Sequence, residues 1–184
     1  MLKNKRKFEI IYLSGMIWKQ SEKIFLGDGV MMKYGMVLQT KVGILTVIAD
    51  EENLLEVSFG YSDTDYSART NSIVIKAAAQ LAEYLSGTRE SFSLPIKTNG
   101  TELQERVWAV LKEVPYGQTI TYKEIAQRLG GELSPQSIGG ACRKNPLEII
   151  IPTHRVLGTN GKVAGNALEA PAKEAVLQIE KQNR

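Results

Sequence analysis

The stretch that decides the fold is Ile149-Ile150-Ile151-Pro152-Thr153-His154-Arg155-Val156. Its run of β-branched isoleucines predicts a buried strand, which leads directly into a Pro-Thr-His-Arg turn. His154 is the single histidine of the chain, and histidine is the side chain most easily tuned for proton transfer near neutral pH. If the chain has a reaction centre, we expect it at this turn.

The composition is that of a globular protein. The chain has 184 residues, of which 43% are hydrophobic and 23% are charged, and this length suits one large domain or two small ones. The formal net charge of +3 is compatible with a polyanionic partner but is low for a dedicated electrostatic binder of nucleic acid. With one cysteine, Cys142, and one histidine, neither a disulfide framework nor a zinc site is expected. We expect no cofactor and a reducing, cytoplasmic location.

Residues 1–30 are interpreted as an N-terminal extension. The basic start and the apolar stretch 8–18 superficially look like a secretory signal. A glutamate interrupts that stretch, no small-residue cleavage site follows, and charge returns at Lys19, so neither a signal peptide nor a membrane span is expected. The extension is expected to form an amphipathic helix, or else translation begins at Met31 or Met32.

Residues 31–97 are predicted to form a small N-terminal α/β domain. Apolar runs between Met32 and Phe59 are typical of a β-hairpin or meander. The Ala-rich segment 73–85 has helical periodicity, with Ser72 as its expected cap. A short strand is expected at Phe92–Pro95, before a polar linker that marks the domain boundary.

Residues 98–184 are predicted to form a mainly helical C-terminal domain. Thr101 is the expected cap of its first helix, and a compact helix follows over 122–129. Ser134 and Pro135 favour the start of another helix, since serine caps and proline suits the first helical position. Two short helices joined by a Gly-containing turn make a helix-turn-helix candidate.

Several segments resemble the O6-alkylguanine-DNA alkyltransferases. The resemblance covers most of the chain after Met31, weakly in the first domain and strongly in the second. It is carried by the segments 80–89, 104–108, 114–122, 139–141, 145–146 and 152–156. It implies a ribonuclease H-like N-terminal domain and a winged-helix-like, DNA-binding alkyltransferase domain.

In that family the protein docks a helix-turn-helix in the DNA minor groove and flips the damaged guanine out. It then moves the O6 alkyl group to a cysteine once, without turnover. Extrusion is needed because the reacting atom is inaccessible within the stacked duplex. The resemblance therefore implies double-stranded DNA containing O6-alkylguanine as the partner, a monomeric protein, no membrane association and, as a further candidate partner, a repair-pathway protein.

The resemblance also implies roles for individual residues. His154 and Glu180 would be the activating pair, Asn145 would support the turn before the site, and Tyr122 would press on the phosphate and assist flipping. The remaining expected DNA contacts are Gln136, Ser137, Gly139, Arg143 and Arg155. From the residues alone, the preferred interpretation of Tyr122 is a core tyrosine at a helix start, and that of Asn145 is a helix C-cap. Arg155 either holds the turn or contacts phosphate.

The chain departs from the family at the acceptor position, where Thr153 replaces the nucleophilic cysteine. A thiol has a pKa of about 8.5 and a hydroxyl one nearer that of water, roughly 15.7. That gap corresponds to an ionisation cost on the order of 10 kcal/mol, so we expect efficient alkyl transfer to be lost. Cys142 is a weak substitute, because its small, apolar helix face is typical of an inert buried cysteine.

Two further departures affect DNA and lesion contacts. Gln136 stands where the family usually has an arginine that fills the gap left by the flipped base, so an attraction for phosphate is lost. After Gly165, residues 166–171 replace an aromatic residue and a Gly-rich loop that wall the alkyl pocket in the family.

Three functions fit this pattern. The favoured one is a protein that binds and flips O6-alkylguanine without efficient alkyl transfer and marks it for another pathway. The second is a methylated-DNA–protein-cysteine S-methyltransferase in which Thr153 is an inactivating substitution. The third is a DNA-binding relic that no longer recognises lesions.

Overall fold

A computed structural model describes residues 10–13, 16–19, 32–158, 160–166 and 169–184. The chain divides into two compact units. One runs as far as Glu83 and includes Ser93–Lys97, and the other comprises Tyr84–Phe92 and Thr98–Arg184. Among the described residues, no helix is long and apolar enough to cross a membrane.

The first unit contains an antiparallel sheet whose strands are neighbours in the order of the chain. Its described strands are β1 (Ile10–Leu13), β2 (Met16–Lys19), β3 (Tyr34–Thr40), β4 (Gly43–Ala49) and β5 (Leu54–Phe59). The predicted meander over residues 32–59 is therefore confirmed. The amphipathic helix expected in the N-terminal extension is wrong for its described residues, because β1 and β2 pair with each other and β2 pairs with β3.

Helix α1 spans Ser72–Ser86 and crosses from the first unit into the second. Its buried apolar stripe follows the i, i+3, i+4, i+7 spacing of an amphipathic helix and consists of Val74, Ala77, Ala78 and Leu81. The cap is Asn71 rather than the expected Ser72, since the Asn71 Oδ1 accepts a hydrogen bond from the Val74 N–H at 2.9 Å. Gly87, at φ +82°, follows the end of the helix.

The strand expected at Phe92–Pro95 is absent. The chain makes only an isolated parallel bridge there, between Ile96 and Leu54. The Leu54 N–H donates to the Pro95 carbonyl at 2.7 Å and the Lys97 N–H to the Leu54 carbonyl at 3.0 Å. Proline supplies no N–H to a ladder, so this segment does not form a longer strand.

The second unit is mainly helical. Its helices after α1 are α2 (Glu102–Lys112), α3 (Tyr122–Arg128), α4 (Pro135–Arg143) and α5 (Ala170–Gln182). The predicted caps Thr101 and Ser134 are confirmed, because each side chain accepts a backbone N–H bond at its helix start. Helix α4 packs against α2 and α3, and the Trp108 indole N–H donates to the Ala141 carbonyl at 2.9 Å.

A short parallel pair of strands, β6 (Ile120–Thr121) and β7 (Val156–Leu157), flanks the segment that carries Thr153 and His154. That segment is a single 3₁₀ turn, Thr153–Arg155. Helix α5 packs against the turn. The side chains predicted to form a site are thereby held between α5 and a strand pair.

Candidate functional site

The isoleucine run before the site is a turn and not the predicted strand. Residues 149 and 150 lie in the turn, and Ile149 has φ +72°, a conformation that is costly for a β-branched residue. The Asn145 side chain ties the turn together. Its Nδ2 donates to the Ile151 carbonyl at 2.9 Å, and its Oδ1 accepts from the Leu147 N–H at 3.0 Å.

The 3₁₀ turn places three polar side chains in the interior. Thr153, His154 and Arg155 are 1%, 0% and 7% exposed. Their burial requires partners, because a polar or charged group removed from water without hydrogen bonds costs several kcal/mol. Glu180, on the inward face of α5 and fully buried, supplies partners to two of them.

Glu180 is the centre of a buried network. Its carboxylate pairs with the His154 Nε2, accepts from the Arg155 Nε at 3.0 Å and from the Gly117 N–H at 2.8 Å, and accepts from the Tyr84 hydroxyl. Burial raises the pKa of Glu180, but the hydrogen bonds from His154 and Arg155 and the positive charge of Arg155 outweigh it and lower that pKa to about 2. The carboxylate is therefore ionised at neutral pH.

His154 is a neutral imidazole at neutral pH. Burial lowers its pKa below the usual value and outweighs the opposite influence of Glu180. The Nδ1 atom is buried and has no hydrogen-bond partner among the described residues. The Glu180 carboxylate can hold the His154 tautomer that carries its proton on Nε2. The Nδ1 atom is then left able to accept a proton.

Arg155 is an internal residue. Its guanidinium bonds to Glu180, to the Tyr84 hydroxyl at 3.0 Å and to the Val114 carbonyl. Of the two roles expected for it, holding the turn agrees with these contacts. The guanidinium is not exposed for a phosphate contact.

Thr153 lines a cavity of about 210 Å³ in the second unit. The cavity is lined by Tyr122, Gly139, Cys142, Arg143, Thr153, Ala164, Gly165, Asn166 and Lys173. Several of the predicted site residues are thus brought to one place. The altered loop after Gly165 contributes to this wall, although its residues 167 and 168 lie outside the described part of the chain.

A buried ion pair lies behind Thr153. The Thr153 hydroxyl donates to the Glu148 Oε2, and the Glu148 Oε1 lies 3.0 Å from the Lys173 Nζ. Burial raises the pKa of Glu148 more than Lys173 and Thr153 lower it. Burial lowers the pKa of Lys173, but Glu148 and Glu169 outweigh it and raise that pKa.

Glu148 is a site residue that the sequence analysis missed. The signal was present: a single carboxylate interrupts the apolar run Leu147–Ile151, and a buried charge needs partners. Lys173 supplies the cationic partner.

Cys142 lines the same cavity but is not activated. The thiol is 6% exposed, and burial raises its pKa to about 12. A thiolate is the nucleophilic form of cysteine, so the structure agrees with the interpretation of an inert buried residue.

Apart from Arg155, the predicted DNA contacts lie on α3 and α4. Gln136, Ser137 and Arg143 are exposed, whereas Tyr122 is half-buried. Gly139 is buried beside it, and a Cβ added there would lie 3.6 Å from the Tyr122 hydroxyl. No cluster of His, Cys, Asp and Glu among the described residues could hold a metal ion.

Two sequence families match the chain. The description "6-O-methylguanine DNA methyltransferase, ribonuclease-like domain" matches residues 32–98. The description "6-O-methylguanine DNA methyltransferase, DNA binding domain" matches residues 102–182. Together they cover both compact units.

The chain aligns with nearly the whole length of two methylated-DNA–protein-cysteine methyltransferases. The methylated-DNA–protein-cysteine methyltransferase of Methanosarcina acetivorans is 36% identical over 152 residues, covering 80% of this chain and 97% of that protein. The constitutive enzyme of Bacillus subtilis is 31% identical over 161 residues, covering 82% and 96%.

Solved structures agree with the sequence matches. The Mycobacterium tuberculosis O6-methylguanine methyltransferase superposes with a TM-score of 0.76 at 29% identity, covering 83% of this chain and 95% of that one. The Mycobacterium tuberculosis OGT in complex with DNA gives a TM-score of 0.71 at 30% identity, covering 83% and 94%.

Proposed function

Because the chain belongs to the 6-O-methylguanine DNA methyltransferase family, we propose that it binds O6-alkylguanine in duplex DNA without efficiently taking up the alkyl group. The observation that carries this proposal is the side chain at the cavity. By the resemblance, Thr153 stands at the position of the family's acceptor cysteine; its side chain lines the cavity and its hydroxyl donates to Glu148. A hydroxyl, whose pKa lies far above neutral pH, is a poor nucleophile for an alkyl carbon.

In this proposal the second unit binds DNA through a helix-turn-helix formed by α3 and α4. The exposed Gln136 and Ser137 at the start of α4 would enter the minor groove, and Arg143 would contact the backbone. The flipped guanine would occupy the cavity, with Tyr122 and Gly139 at its wall. An aromatic wall favours an extruded base, since every base has a face that can stack.

His154 and Glu180 keep the geometry of an activating pair but have no thiol to activate. A neutral imidazole paired with an ionised carboxylate can remove a proton from a neighbouring acidic group. With Thr153 in place, their contribution is to hold the 3₁₀ turn and the cavity floor. Asn145 supports the same turn.

A second candidate, a DNA-binding relic that is blind to lesions, is favoured by Gln136. This exposed residue carries no charge where the family usually has an arginine. A relic and a lesion reader differ in selectivity, because only the reader has a pocket that gains contacts from the alkyl group. The remaining alternative is an alkyltransferase inactivated only by the change to Thr153.

The test compares fluorescence anisotropy on two duplexes that differ only in guanine or O6-methylguanine at the central position. A reader binds the lesion duplex at least ten-fold more tightly, which corresponds to about 1.4 kcal/mol. The variant Ala164→Leu, which adds volume at the cavity wall and is not one of the predicted DNA contacts, is expected to abolish the difference while non-specific binding persists. Equal affinities of the wild type for both duplexes would identify a relic.

We further propose the domain division 1–30, 31–97 and 98–184, a monomeric protein and the recruitment of a repair-pathway protein. The matched ranges 32–98 and 102–182 support the second and third segments. Sedimentation of the protein alone and bound to lesion DNA tests the monomer.

A further inference from the structure

Glu148 is held by two polar partners in the interior of the second unit. The residue is 7% exposed, and each carboxylate oxygen is used. Oε2 accepts from the Thr153 hydroxyl, and Oε1 pairs with the Lys173 ammonium at 3.0 Å. A buried carboxylate is costly unless it is paired and hydrogen-bonded, so Thr153 and Lys173 together make Glu148 tolerable at this position.

The ion pair does not leave a surplus of positive charge near Thr153. The Lys173 Nζ also lies 3.1 Å from the Glu169 Oε2. One ammonium therefore faces two carboxylates. Arg143 lines the same cavity, but the atom in direct contact with the side chain at position 153 is the Glu148 Oε2, so a further anion at that position would lie against a carboxylate.

A thiolate is such an anion. A thiol at position 153 could donate weakly to Glu148, but its ionised form would lose that hydrogen bond and lie against a carboxylate. Loss of a hydrogen bond to the neutral form and repulsion by a like charge both disfavour ionisation. The threonine hydroxyl stays neutral, so it donates a hydrogen bond to the carboxylate without repulsion between like charges.

We propose that Glu148 is a positioning residue that keeps position 153 unreactive, so the loss of alkyl transfer resides in the pair Glu148 and Thr153 and not in Thr153 alone. This inference rests on the function proposed above, in which position 153 faces the alkyl group. It means that the site is rebuilt around a hydroxyl, and that restoring cysteine at position 153 does not by itself restore the family's chemistry.

Glu148 does not convert Thr153 into a nucleophile instead. A carboxylic acid and a hydroxyl differ in pKa by roughly ten units even when burial raises the former, so proton transfer from Thr153 to Glu148 is strongly unfavourable. The contact orients the hydroxyl, whose proton points to Glu148.

The first experiment titrates the thiol at position 153 in free protein. The variants are Thr153→Cys, Thr153→Cys with Glu148→Gln, and Thr153→Cys with Glu169→Gln. Glutamine at position 148 keeps the volume and an acceptor oxygen but removes the charge, and the Glu169→Gln variant removes a charge from the other side of Lys173. The wild type reports the background from Cys142.

The thiol of Thr153→Cys is expected to titrate above the usual value of about 8.5. Adding Glu148→Gln lowers its pKa by about one unit or more, whereas adding Glu169→Gln changes it less. A thiol pKa at or below the usual value in Thr153→Cys overturns the proposal, as does an unchanged pKa after removal of the Glu148 charge. If the glutamine variant does not fold, Glu148→Met supplies a neutral side chain of similar volume.

The second experiment follows methyl uptake from a duplex containing O6-methylguanine. In this step the cysteine sulfur bonds to the methyl carbon as the carbon–O6 bond breaks, and the released guanine takes up a proton at N1. The variant with Glu148→Gln is expected to react at least ten-fold faster than Thr153→Cys alone. Equal rates overturn the proposal. The thiol titration uses no DNA, so it decides the role of Glu148 even if the wild type proves blind to the lesion.

Discussion

Glu180 is the centre of the buried polar cluster that includes His154 and Arg155. It accepts hydrogen bonds from Arg155, Tyr84 and the Gly117 backbone and pairs with His154. Its removal would leave Arg155 as a buried charge without its carboxylate. Loss of one partner of a buried pair costs about 3–5 kcal/mol.

The variant Glu180→Gln is therefore expected to lower the free energy of unfolding at pH 7 by about 3–5 kcal/mol. The folded pKa of about 2 lies below the ordinary value of 4.5. The wild-type advantage is thus fully present above pH 4.5 and declines as the pH falls toward 2. Urea denaturation at pH 7, 4 and 3 measures it.

The control for this variant is Glu174→Gln, on the exposed side of the same helix. Its unfolding free energy should stay within about 0.5 kcal/mol of the wild type. A Glu180→Gln protein that matches the control at pH 7 would contradict the buried network.

The role of a residue in the site was predictable where its type is rare in this chain, and it was not predictable where the type is common. The single histidine drew attention to His154, and the family resemblance added Glu180. Glu148 was missed because its position in the turn, and hence its contact with Thr153, depends on how residues 145–151 bend. Arg155 was expected either to hold the turn or to contact DNA. The sequence could not decide between these roles, because it does not show whether the side chain is buried.

At the scale of elements, the turn before the site depends on Asn145. The side chain supplies one donor and one acceptor to buried backbone groups of Leu147 and Ile151. These bonds hold the chain in a bend that includes the positive φ of Ile149.

Asn145→Ala is expected to destabilise the protein by about 1–3 kcal/mol, because the buried Leu147 N–H loses its acceptor and the Ile151 carbonyl keeps only the Thr153 N–H. Thermal or urea unfolding measures the change. Asn160→Ala, which removes a single exposed bond to the Lys162 N–H, should cost no more than about 0.5 kcal/mol. Equal effects of the two substitutions would show that the turn does not depend on Asn145.

Helix α4 carries the predicted contact with the minor groove. Gln136→Arg adds a positive charge to an exposed residue in its first turn, so DNA affinity should rise and the salt slope should steepen by about 0.9. The control Gln178→Arg adds the same charge at an exposed position of α5. Equal gains from both variants would mean that general charge, and not α4, governs binding.

The ends of helices were predictable where the residue type is one that commonly caps a helix. Thr101 and Ser134 were recognised as caps, and Gly87 marks the end of α1. The predicted strand at 149–151 is wrong because the Asn145 side chain and a local Ile151–Leu147 backbone bond replace a ladder. Periodicity alone does not distinguish an apolar strand from an apolar turn.

At the scale of the whole molecule, the net charge of +3 gave only a weak indication of a nucleic-acid partner. The family match covers both compact units and gives a stronger one. The function proposed above distinguishes this chain from its methyltransferase relatives through two side chains, Thr153 and Glu148. We therefore expect the intact protein to bind the lesion and to leave the alkyl group on the DNA.

The most direct test is the intact mass of the protein after incubation with excess duplex containing O6-methylguanine, followed by peptide mapping. The account predicts an unchanged mass while the protein remains bound to the lesion duplex. A gain of one methyl group, mapped to Thr153 or Cys142, would contradict it and make the protein an alkyltransferase with an unusual acceptor.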